Sequence, residues 1–341
     1  MTARAQLVPQ AVAYDASLRV GGSAWLFAET ALLHQPDGTV DEVLVEDLSP
    51  AQRDRLSRQR APVCGLTLDV PRIMGILNVT PDSFSDGGAL ASVAAAVARA
   101  QAMVGDADIL DIGGESTRPG AAEVSADAEI RRVVPVIEAI RAAGITTPIS
   151  IDTRKAQVAT AALAAGADMV NDVTALRFDP DMAHVVAEAG VPVCLMHAKG
   201  DPATMQDDPR YGDVTAEVFD HLAERIAVAE AAGIARDRII TDPGIGFGKT
   251  LQHNVTLLRR IAVYHDLGLP ILLGASRKRF IGTIGGAPDA QDRLGGSVAV
   301  ALHGAFQGVQ ILRVHDTRET RQAISLQMAL NGAGGDDDGR Q

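Results

Sequence analysis

The sequence has few aromatic residues and few cysteines, and each scarcity excludes a class of protein. Aromatics make up 3% of the 341 residues, so we expect an aliphatic core like that of α/β proteins with buried parallel strands. Cys64 and Cys194 are too few for a disulfide framework and lack the spacing of a zinc site. We therefore expect two free thiols, with Cys194 buried, and a reducing, cytoplasmic location.

The sequence also lacks a membrane-spanning segment, a signal peptide and an excess of positive charge. No apolar run is long enough to cross a bilayer, and we find no charged-then-apolar signal. The formal net charge is -12 at pH 7, which argues against general binding to nucleic acid or to an anionic membrane. The expected partners are small molecules, and an anionic one would need only a locally basic pocket.

One segment, DPGIGFGKT at 242–250, resembles a nucleotide-binding P-loop but lacks the glycine that begins one. In the pattern G-x-x-x-x-G-K-[ST], backbone amides of the loop cradle phosphates. Pro243 stands where the first glycine should be, and proline offers no amide hydrogen. The pattern thus argues against an ATPase or kinase, and Lys249 is not expected to bind phosphate.

From residue 71 onward the chain repeats a short apolar strand followed by an alanine-rich amphipathic helix. The predicted strands are 72–79, 108–114, 148–153, 169–174, 192–197, 239–244, 271–276 and 311–316. Glycines that fit left-handed helix caps precede several of them, at 144, 166, 190 and 233. Eight such units predict an α/β fold of the (β/α)8 TIM barrel class. The alternative is a doubly wound open sheet, which usually carries G-x-G-x-x-G after its first strand; NVTPDSFSDGG does not match that pattern.

The first 62 residues differ from this repeat and are predicted to form a small structural extension. Ser49 as N-cap and Pro50 in the first turn predict a helix in LSPAQRDRLSRQR. PDGT at 36–39 predicts a turn between two strands. The alternating VCGLTLDV at 63–70 is predicted as a strand that closes the bottom of the barrel. We assign 63–331 to the catalytic barrel and 332–341 to a disordered tail.

Every predicted strand ends in polar residues, and the active sites of barrels lie at these carboxyl ends. The set includes Asn78, Asp111, Asp152, Asn171, Asp172, His197, Asp242, Ser276, Arg277, Lys278, Arg313 and His315. Carboxylates accept paired N–H bonds, as from an aminopyrimidine edge, whereas Lys278, Arg313 and His315 suit a phosphate. The amide oxygen of Asn78 suits a hard cation such as Mg²⁺. The pattern therefore predicts a ligand that carries an amino-heterocycle and a phosphate and that binds together with magnesium.

Two long loops follow the first two predicted strands and are expected to close over a substrate. They are TPDSFSDGG at 80–88 and ESTRPG at 115–120, whose small and polar residues are typical of mobile surface loops. Phe84 stands alone among polar residues of the first loop, which indicates packing against a ligand.

Seven motifs, in this order, are similar to those of the dihydropteroate synthase family of the folate pathway. They are ILNVTPDSFSDGG, DIGGESTRPG, ISIDT, NDV, DPGIGFGK, SRKRFIG and RVHD. The resemblance implies a (β/α)8 barrel, usually a homodimer, that joins 6-hydroxymethyl-7,8-dihydropterin diphosphate to p-aminobenzoate with Mg²⁺ by an SN1-like mechanism. It also implies that sulfonamides compete for the p-aminobenzoate site.

The same resemblance implies a role for each site residue. The pterin would contact Asp111, Asp152, Asn171, Met196, Asp242, Phe247 and Lys278. The diphosphate would be held by Asn78, Arg313 and His315, and magnesium by Asn78 and Asp86. The p-aminobenzoate pocket would be formed by Phe84, Thr117, Arg118, Pro119 and Ser276, with Lys278 beside it. Catalysis would depend on Asp152, Lys278, Asn78, Arg313 and His315.

Two alternatives remain open at the level of the sequence. A methyltetrahydrofolate-dependent methyltransferase would share the pterin carboxylates but would not need ESTRPG, SRK and RVH together. A non-catalytic pterin-binding paralogue should have lost residues of the two long loops, and both loops are intact.

Overall fold

The computed structural model describes residues 3–11, 13, 17–79, 88–115, 123–200 and 205–332, with the backbone alone at 88–92. Several predicted site residues lie outside this part of the chain: Phe84, Asp86, Thr117, Arg118 and Pro119. The predicted tail from residue 333 onward lies outside it as well. Within the described ranges, no helix combines the length and the apolar character that crossing a membrane requires.

The N-terminal extension is a small antiparallel unit followed by one helix. Its elements are β1 (Arg4–Leu7), β2 (Leu18–Arg19), β3 (Phe27–Ala28), β4 (Thr30–His34), β5 (Val40–Leu44) and α1 (Pro50–Ser57). Strands β1, β4 and β5 form one sheet, and β2 pairs with β3. The predicted turn at 36–39 does join two strands, β4 and β5. Helix α1 begins as predicted, because the Ser49 hydroxyl accepts from the amide of Gln52 while the Gln52 side chain accepts from the Ser49 amide.

All eight predicted barrel strands are present. They are β6 (Arg72–Asn78), β7 (Ile109–Gly113), β8 (Ile149–Asp152), β9 (Met169–Asp172), β10 (Val193–Met196), β11 (Ile239–Asp242), β12 (Leu272–Leu273) and β13 (Ile311–Val314). Each pairs in parallel with its neighbours in the order β11-β10-β9-β8-β7-β6-β13-β12. A parallel bridge between Thr241 and Ile271 joins the two ends of that order. The sheet is therefore closed, which confirms the barrel and excludes the open doubly wound sheet.

Helices surround the barrel and connect its strands. They are α2 (Gly88–Met103), α3 (Ala126–Ala142), α4 (Ala156–Ala164), α5 (Met182–Ala189), α6 (Val214–Ala231), α7 (Leu251–Arg259), α8 (Arg279–Gly285), α9 (Leu294–Phe306) and α10 (Thr317–Leu330). The four glycines predicted to cap helices, at 144, 166, 190 and 233, all have positive φ. Aliphatic side chains fill the space between strands and helices, as the low aromatic content predicted.

The bottom of the barrel is closed by the segment 63–70, although not by a strand. The prediction of a strand there is wrong, because Cys64 and Gly65 adopt positive φ and turn the chain between Val63 and Leu66. Val63 and Leu68 nevertheless belong to one buried cluster with residues near the starts of seven strands: Met74, Ile109, Met169, Cys194, Ile240, Leu272 and Ile311. A tight turn thus seals this end, and Cys194 is buried as predicted.

Asp266 fastens the extension to the barrel. This side chain is buried beneath β1, where one oxygen accepts from the backbone amide of Ala5 at 3.0 Å. Its other oxygen forms an ion pair with Arg55 of α1 at 2.7 Å. A second ion pair joins Arg4 to Asp220 of α6 at 2.6 Å. Asp266 therefore binds both β1 and α1 of the extension.

We expect Asp266→Ala to loosen the extension, because the buried Ala5 amide loses its acceptor and Arg55 loses its carboxylate partner, while its bond to the backbone carbonyl of residue 266 can remain. The free energy of unfolding should fall by about 2 kcal/mol. Trp25, the single tryptophan, is buried in the extension, so its fluorescence in a urea titration reports the loss. The control is Asp237→Ala, which removes an exposed carboxylate. Equal midpoint shifts for the two variants would contradict this role for Asp266.

Candidate active site

The barrel brings the predicted pterin residues together at the carboxyl ends of its strands. Asp152 ends β8 and Asp242 ends β11, while Asp111, Asn171 and Arg313 lie one or two residues before the ends of β7, β9 and β13. Because parallel strands present all these ends at one face, residues that are up to 202 positions apart in sequence meet there.

Arg313 links two of the carboxylates across the barrel. Its Nε atom donates to Asp111 Oδ2 at 2.6 Å, and its Nη2 atom donates to Asp152 Oδ2 at 2.7 Å. The Asn171 amide donates to the other oxygen of Asp111 at 3.4 Å. Four predicted site residues therefore form one connected polar group. The resemblance had assigned Arg313 to the diphosphate, and here its guanidinium lies among the predicted pterin ligands.

Burial shapes the charges of this group. It raises the pKa of Asp152 to about 7, against the opposing effect of Arg313, while the neighbouring Asp111 carboxylate adds to the rise. Burial alone would lower the pKa of Arg313, but the carboxylates of Asp111 and Asp152 outweigh it and raise that pKa above the ordinary arginine value. Arg313 is therefore charged at any relevant pH, and Asp152 lies near its titration point at neutral pH.

Asp242 is the third buried carboxylate of the site. Its Oδ1 atom accepts from the amide of Gly244 at 2.7 Å, and its Oδ2 atom lies 3.7 Å from where a Cβ would stand at Gly274. The same Cβ position at Gly274 would lie 3.7 Å from Arg313 Cδ. Gly274 therefore lies between Asp242 and Arg313. Burial raises the pKa of Asp242, while the Gly244 amide and the charge of Lys278 oppose the rise.

Lys278 and Phe247 form the remaining wall. The Lys278 ammonium donates to the carbonyl of Ile245 and lies 4.1 Å from the centroid of the Phe247 ring. Burial lowers the pKa of Lys278 to about 7, and Asp242 opposes that fall. A Cβ at Gly246, where φ is +83°, would lie 2.9 Å from Lys278 Cδ. The lack of a side chain at Gly246 therefore leaves room for Lys278. Met196, the last residue of β10, is buried.

Ser276 and His315 also meet, although the resemblance assigned them to different substrates. The His315 ring nitrogen Nδ1 lies 3.0 Å from Ser276 Oγ, which also accepts from the His315 amide. The residues that follow them also pair, because Arg277, which adopts φ +58°, donates to Asp316. Asn78 ends β6 and is half-buried, two strands away from Asp152 in the sheet.

Two further groups of residues follow strand ends, and neither was assigned a role from the sequence. Lys249 is buried, and its ammonium lies 2.9 Å from His197 Nδ1 and 2.8 Å from the Gly244 carbonyl. Glu115, at the base of the second loop, forms an ion pair with Lys155 at 2.9 Å, and the same lysine pairs with the fully buried Glu129. The sequence marked Lys249 only as part of an incomplete P-loop pattern and Glu115 only as the first residue of ESTRPG, so neither set of buried contacts was predicted.

The described residues offer few side-chain ligands for a magnesium ion. Across them, no cluster of three or more His, Cys, Asp or Glu side chains could hold a metal ion. Magnesium in proteins commonly uses only one or two side chains and completes its shell with waters and substrate phosphates. The amide oxygen of Asn78 fits such a minimal role, whereas Asp86 lies outside the described residues.

Comparison with known proteins now identifies the group to which this chain belongs. A family model described as pterin binding enzyme matches residues 74–315. A dihydropteroate synthase of Escherichia coli K12 is 50% identical over 265 residues, which cover 77% of this chain and 93% of the relative.

Two solved structures of the Xanthomonas albilineans dihydropteroate synthase are also similar. The one with 4-aminobenzoic acid has a TM-score of 0.74 and 50% identity, covering 80% of this chain and 98% of its own. The one with 7,8-dihydropteroate has a TM-score of 0.71 and 48% identity, covering 78% and 95%. With the carboxylate and cation geometry of the barrel mouth, these matches show that the chain belongs to the pterin-binding enzymes and, among them, to the dihydropteroate synthase family.

Proposed function

We propose that this chain condenses 6-hydroxymethyl-7,8-dihydropterin diphosphate with p-aminobenzoate to give 7,8-dihydropteroate and diphosphate. The proposal is carried by two buried carboxylates, Asp111 and Asp242, and the largely buried Asp152, which lie beside the cations Arg313 and Lys278 at the mouth of a closed barrel. Support also comes from relatives of the same family that were solved with 4-aminobenzoic acid and with 7,8-dihydropteroate. A methyltransferase and a non-catalytic paralogue are not supported by these relatives.

Recognition of the pterin is assigned chiefly to Asp242. The aminopyrimidine edge of a pterin offers adjacent N–H donors, and a carboxylate accepts two of them in parallel. Asp242 is 4% exposed, so that any such bond forms away from water, where it is strongest. Asp111 and Asn171 offer further polar groups, Met196 and Phe247 supply apolar surface, and a ring carbonyl can accept from Lys278.

The chemistry then depends on breaking one C–O bond. When the bond between the pterin methylene and the diphosphate breaks, its electron pair leaves with the diphosphate and a cation remains on the methylene. The dihydropterin spreads that charge, and the carboxylate of Asp152 stabilises it. The arylamine of p-aminobenzoate is neutral at pH 7, so its nitrogen attacks directly, and the proton it loses needs no strong base. The reaction is therefore SN1-like.

The leaving diphosphate is assigned to Asn78, Arg313 and His315. An arginine carries five N–H donors, and Asp111 and Asp152 engage only the Nε and Nη2 atoms of Arg313. Among the described residues its remaining donors have no hydrogen-bond partner, so they can bind an anion. Mg²⁺, if carried in by the diphosphate and held by Asn78, would neutralise charge on the leaving group.

Ser276 and Lys278 are assigned to the p-aminobenzoate pocket together with residues of the two long loops. Assembly as a homodimer and a cytoplasmic location stay predictions, the latter resting on the two free cysteines.

The direct test is a product assay. The protein, incubated with the dihydropterin diphosphate, radiolabelled p-aminobenzoate and Mg²⁺, should form labelled dihydropteroate, and a sulfonamide should reduce the product in competition with p-aminobenzoate. Omitting Mg²⁺ or adding a chelator should lower the rate. Absence of labelled product at saturating substrate and metal would contradict the proposed function.

We expect Asp242→Asn to weaken binding of the pterin about a hundredfold, because a charge-assisted paired hydrogen bond is replaced by a neutral and partly mismatched one. Calorimetry with the dihydropterin diphosphate measures the change. Asp172→Asn is the matched control. Asp172 is an equally buried aspartate at a strand end, but its oxygens accept from the amides of Thr174 and Leu176. The assignment is wrong if the two variants bind the pterin equally well.

The rate should depend on pH through Asp152 and Lys278. Asp152 must be ionised to stabilise a cation, so activity should rise as the pH increases through about 7. Lys278 must be protonated to donate fully, so activity should fall as the pH increases above its own pKa of about 7. The two together predict a narrow bell in kcat/KM near neutrality.

Two substitutions separate the limbs of this bell. Residual activity of Asp152→Asn should lack the acid limb, and Lys278→Arg should lack the alkaline limb because arginine stays protonated. If the acid limb persists in Asp152→Asn, a group other than Asp152 causes that limb.

A further inference from the structure

The segment between β11 and α7 has unusually complete side-chain support for its backbone. Six consecutive carbonyls, from Gly244 to Lys249, each accept a hydrogen bond from a side chain. The donors, in order along the segment, are Lys249, Lys278, Gln206, Lys249, Tyr211 and Asn254. We call residues 243–249 the glycine loop. Lys249 alone serves two of the six carbonyls and is itself part of the loop.

The ammonium of Lys249 lies at the centre of this arrangement. It donates to the carbonyls of Gly244 at 2.8 Å and Phe247 at 3.1 Å, and it lies 2.9 Å from His197 Nδ1. Lys249 is 3% exposed and forms no ion pair with a carboxylate within the described ranges. Burial lowers the pKa of Lys249 well below its ordinary value, and the charge of Asp242 opposes that fall. The ammonium form therefore depends on these oriented acceptors for its stability.

His197 is suited to be one of those acceptors. Burial, together with the charge of Lys249, lowers the pKa of His197 to about 2, so the ring is neutral at physiological pH. A neutral imidazole has one nitrogen that accepts a hydrogen bond. The Nδ1 atom can therefore accept from Lys249, and the histidine at the end of β10 acts as a support of the glycine loop.

Glycine is required where the loop meets the strand end behind it. A Cβ at Gly244, where φ is +67°, would lie 1.9 Å from the His197 carbonyl oxygen. A Cβ at Gly248, where φ is +63°, would lie 2.2 Å from the carbonyl oxygen of Lys199. The close approach allowed by these glycines brings the backbone carbonyls within reach of the lysine.

The glycine loop contacts two residues that hold the substrate in the proposed function. The Gly244 amide donates to Asp242 Oδ1 at 2.7 Å, and the Ile245 carbonyl accepts from Lys278. The Phe247 ring lies 4.1 Å from the Lys278 ammonium. A shift of this backbone would therefore move the acceptor edge of Asp242 and the donor of Lys278 together.

We propose that Lys249 is a positioning residue of the pterin site. It does not touch the substrate but gathers the carbonyls of the glycine loop so that Asp242 and Lys278 keep the separation that one pterin ring requires. The inference rests on the proposed function for the identity of the ligand. It explains why a lysine follows the glycines here, although no phosphate site is formed.

The test compares Lys249→Met with wild type. Methionine keeps the length and apolar body of the side chain but donates no hydrogen bond. We expect the affinity for the dihydropterin diphosphate, measured by calorimetry, to fall at least tenfold. Amide hydrogen exchange should accelerate at Gly244, Gly246 and Phe247, whose amides are all bonded within or beside the loop.

Arg60→Met is the matched control. Arg60 is also a buried cation without a carboxylate partner among the described residues, and it donates to the carbonyl of His265 beneath the barrel. Its loss should lower the melting temperature and accelerate exchange broadly, while the affinity for the pterin stays within twofold of wild type. A purely structural role for Lys249 would give the same pattern as Arg60→Met.

Tyr211→Phe provides a second variant if Lys249→Met fails to fold. It removes one donor, to the Gly248 carbonyl, and should lower the affinity for the pterin about two- to fivefold with faster exchange confined to the loop. Wild-type affinity in the folded Lys249→Met variant, or in Tyr211→Phe if the former does not fold, would overturn the inference. If wild type itself neither binds the dihydropterin nor forms dihydropteroate, the proposed function fails instead.

Discussion

Charge compensation inside an aliphatic barrel is the constraint on which the site depends. Asp111 and Asp152 lie where water is largely excluded, and an unpaired carboxylate there would cost several kcal/mol. Arg313 reaches both of them from β13, because its planar guanidinium can present two donors to two different oxygens. The compensation is incomplete, since the pKa of Asp152 still rises to about 7. A cation that forms beside Asp152 during the reaction would complete it.

Two lysines hold the backbone that forms the opposite wall of the same mouth. Lys278 and Lys249 both donate to carbonyls of the segment that follows β11, one from within the site and the other from behind it. Their environments differ, because the Lys278 ammonium lies over the Phe247 ring at the mouth, whereas the Lys249 ammonium donates to backbone carbonyls beside a neutral histidine. The first lysine is suited to exchange a backbone acceptor for a substrate, and the second is suited to stay in place.

The opposite end of the barrel is closed by packing and by the N-terminal extension. The turn at Cys64 and Gly65 places Val63 and Leu68 in one buried cluster with residues near the starts of seven strands, and Asp266 ties the N-terminal extension to the same end. The family model begins at residue 74, so the extension precedes the part of the chain that it matches. A sealed base holds the strands in register, and strand register decides where each polar residue at the mouth lies.

Periodicity and glycine caps were enough to predict the eight strands and the closed barrel, because these depend on local backbone preferences and on where the apolar residues lie. The ordered motifs were enough to predict the family. The same motifs named the residues of the mouth. They could not predict that Arg313 would bridge Asp111 and Asp152, or that Ser276 would meet His315, because those contacts depend on side-chain directions across neighbouring strands. Residues 63–70 alternate like a strand, yet positive φ at Cys64 turns them. The incomplete P-loop pattern indicated only that Lys249 does not bind phosphate. The folded backbone turns three carbonyl oxygens and one imidazole nitrogen toward its ammonium, and only this tertiary arrangement decided that Lys249 binds the protein itself.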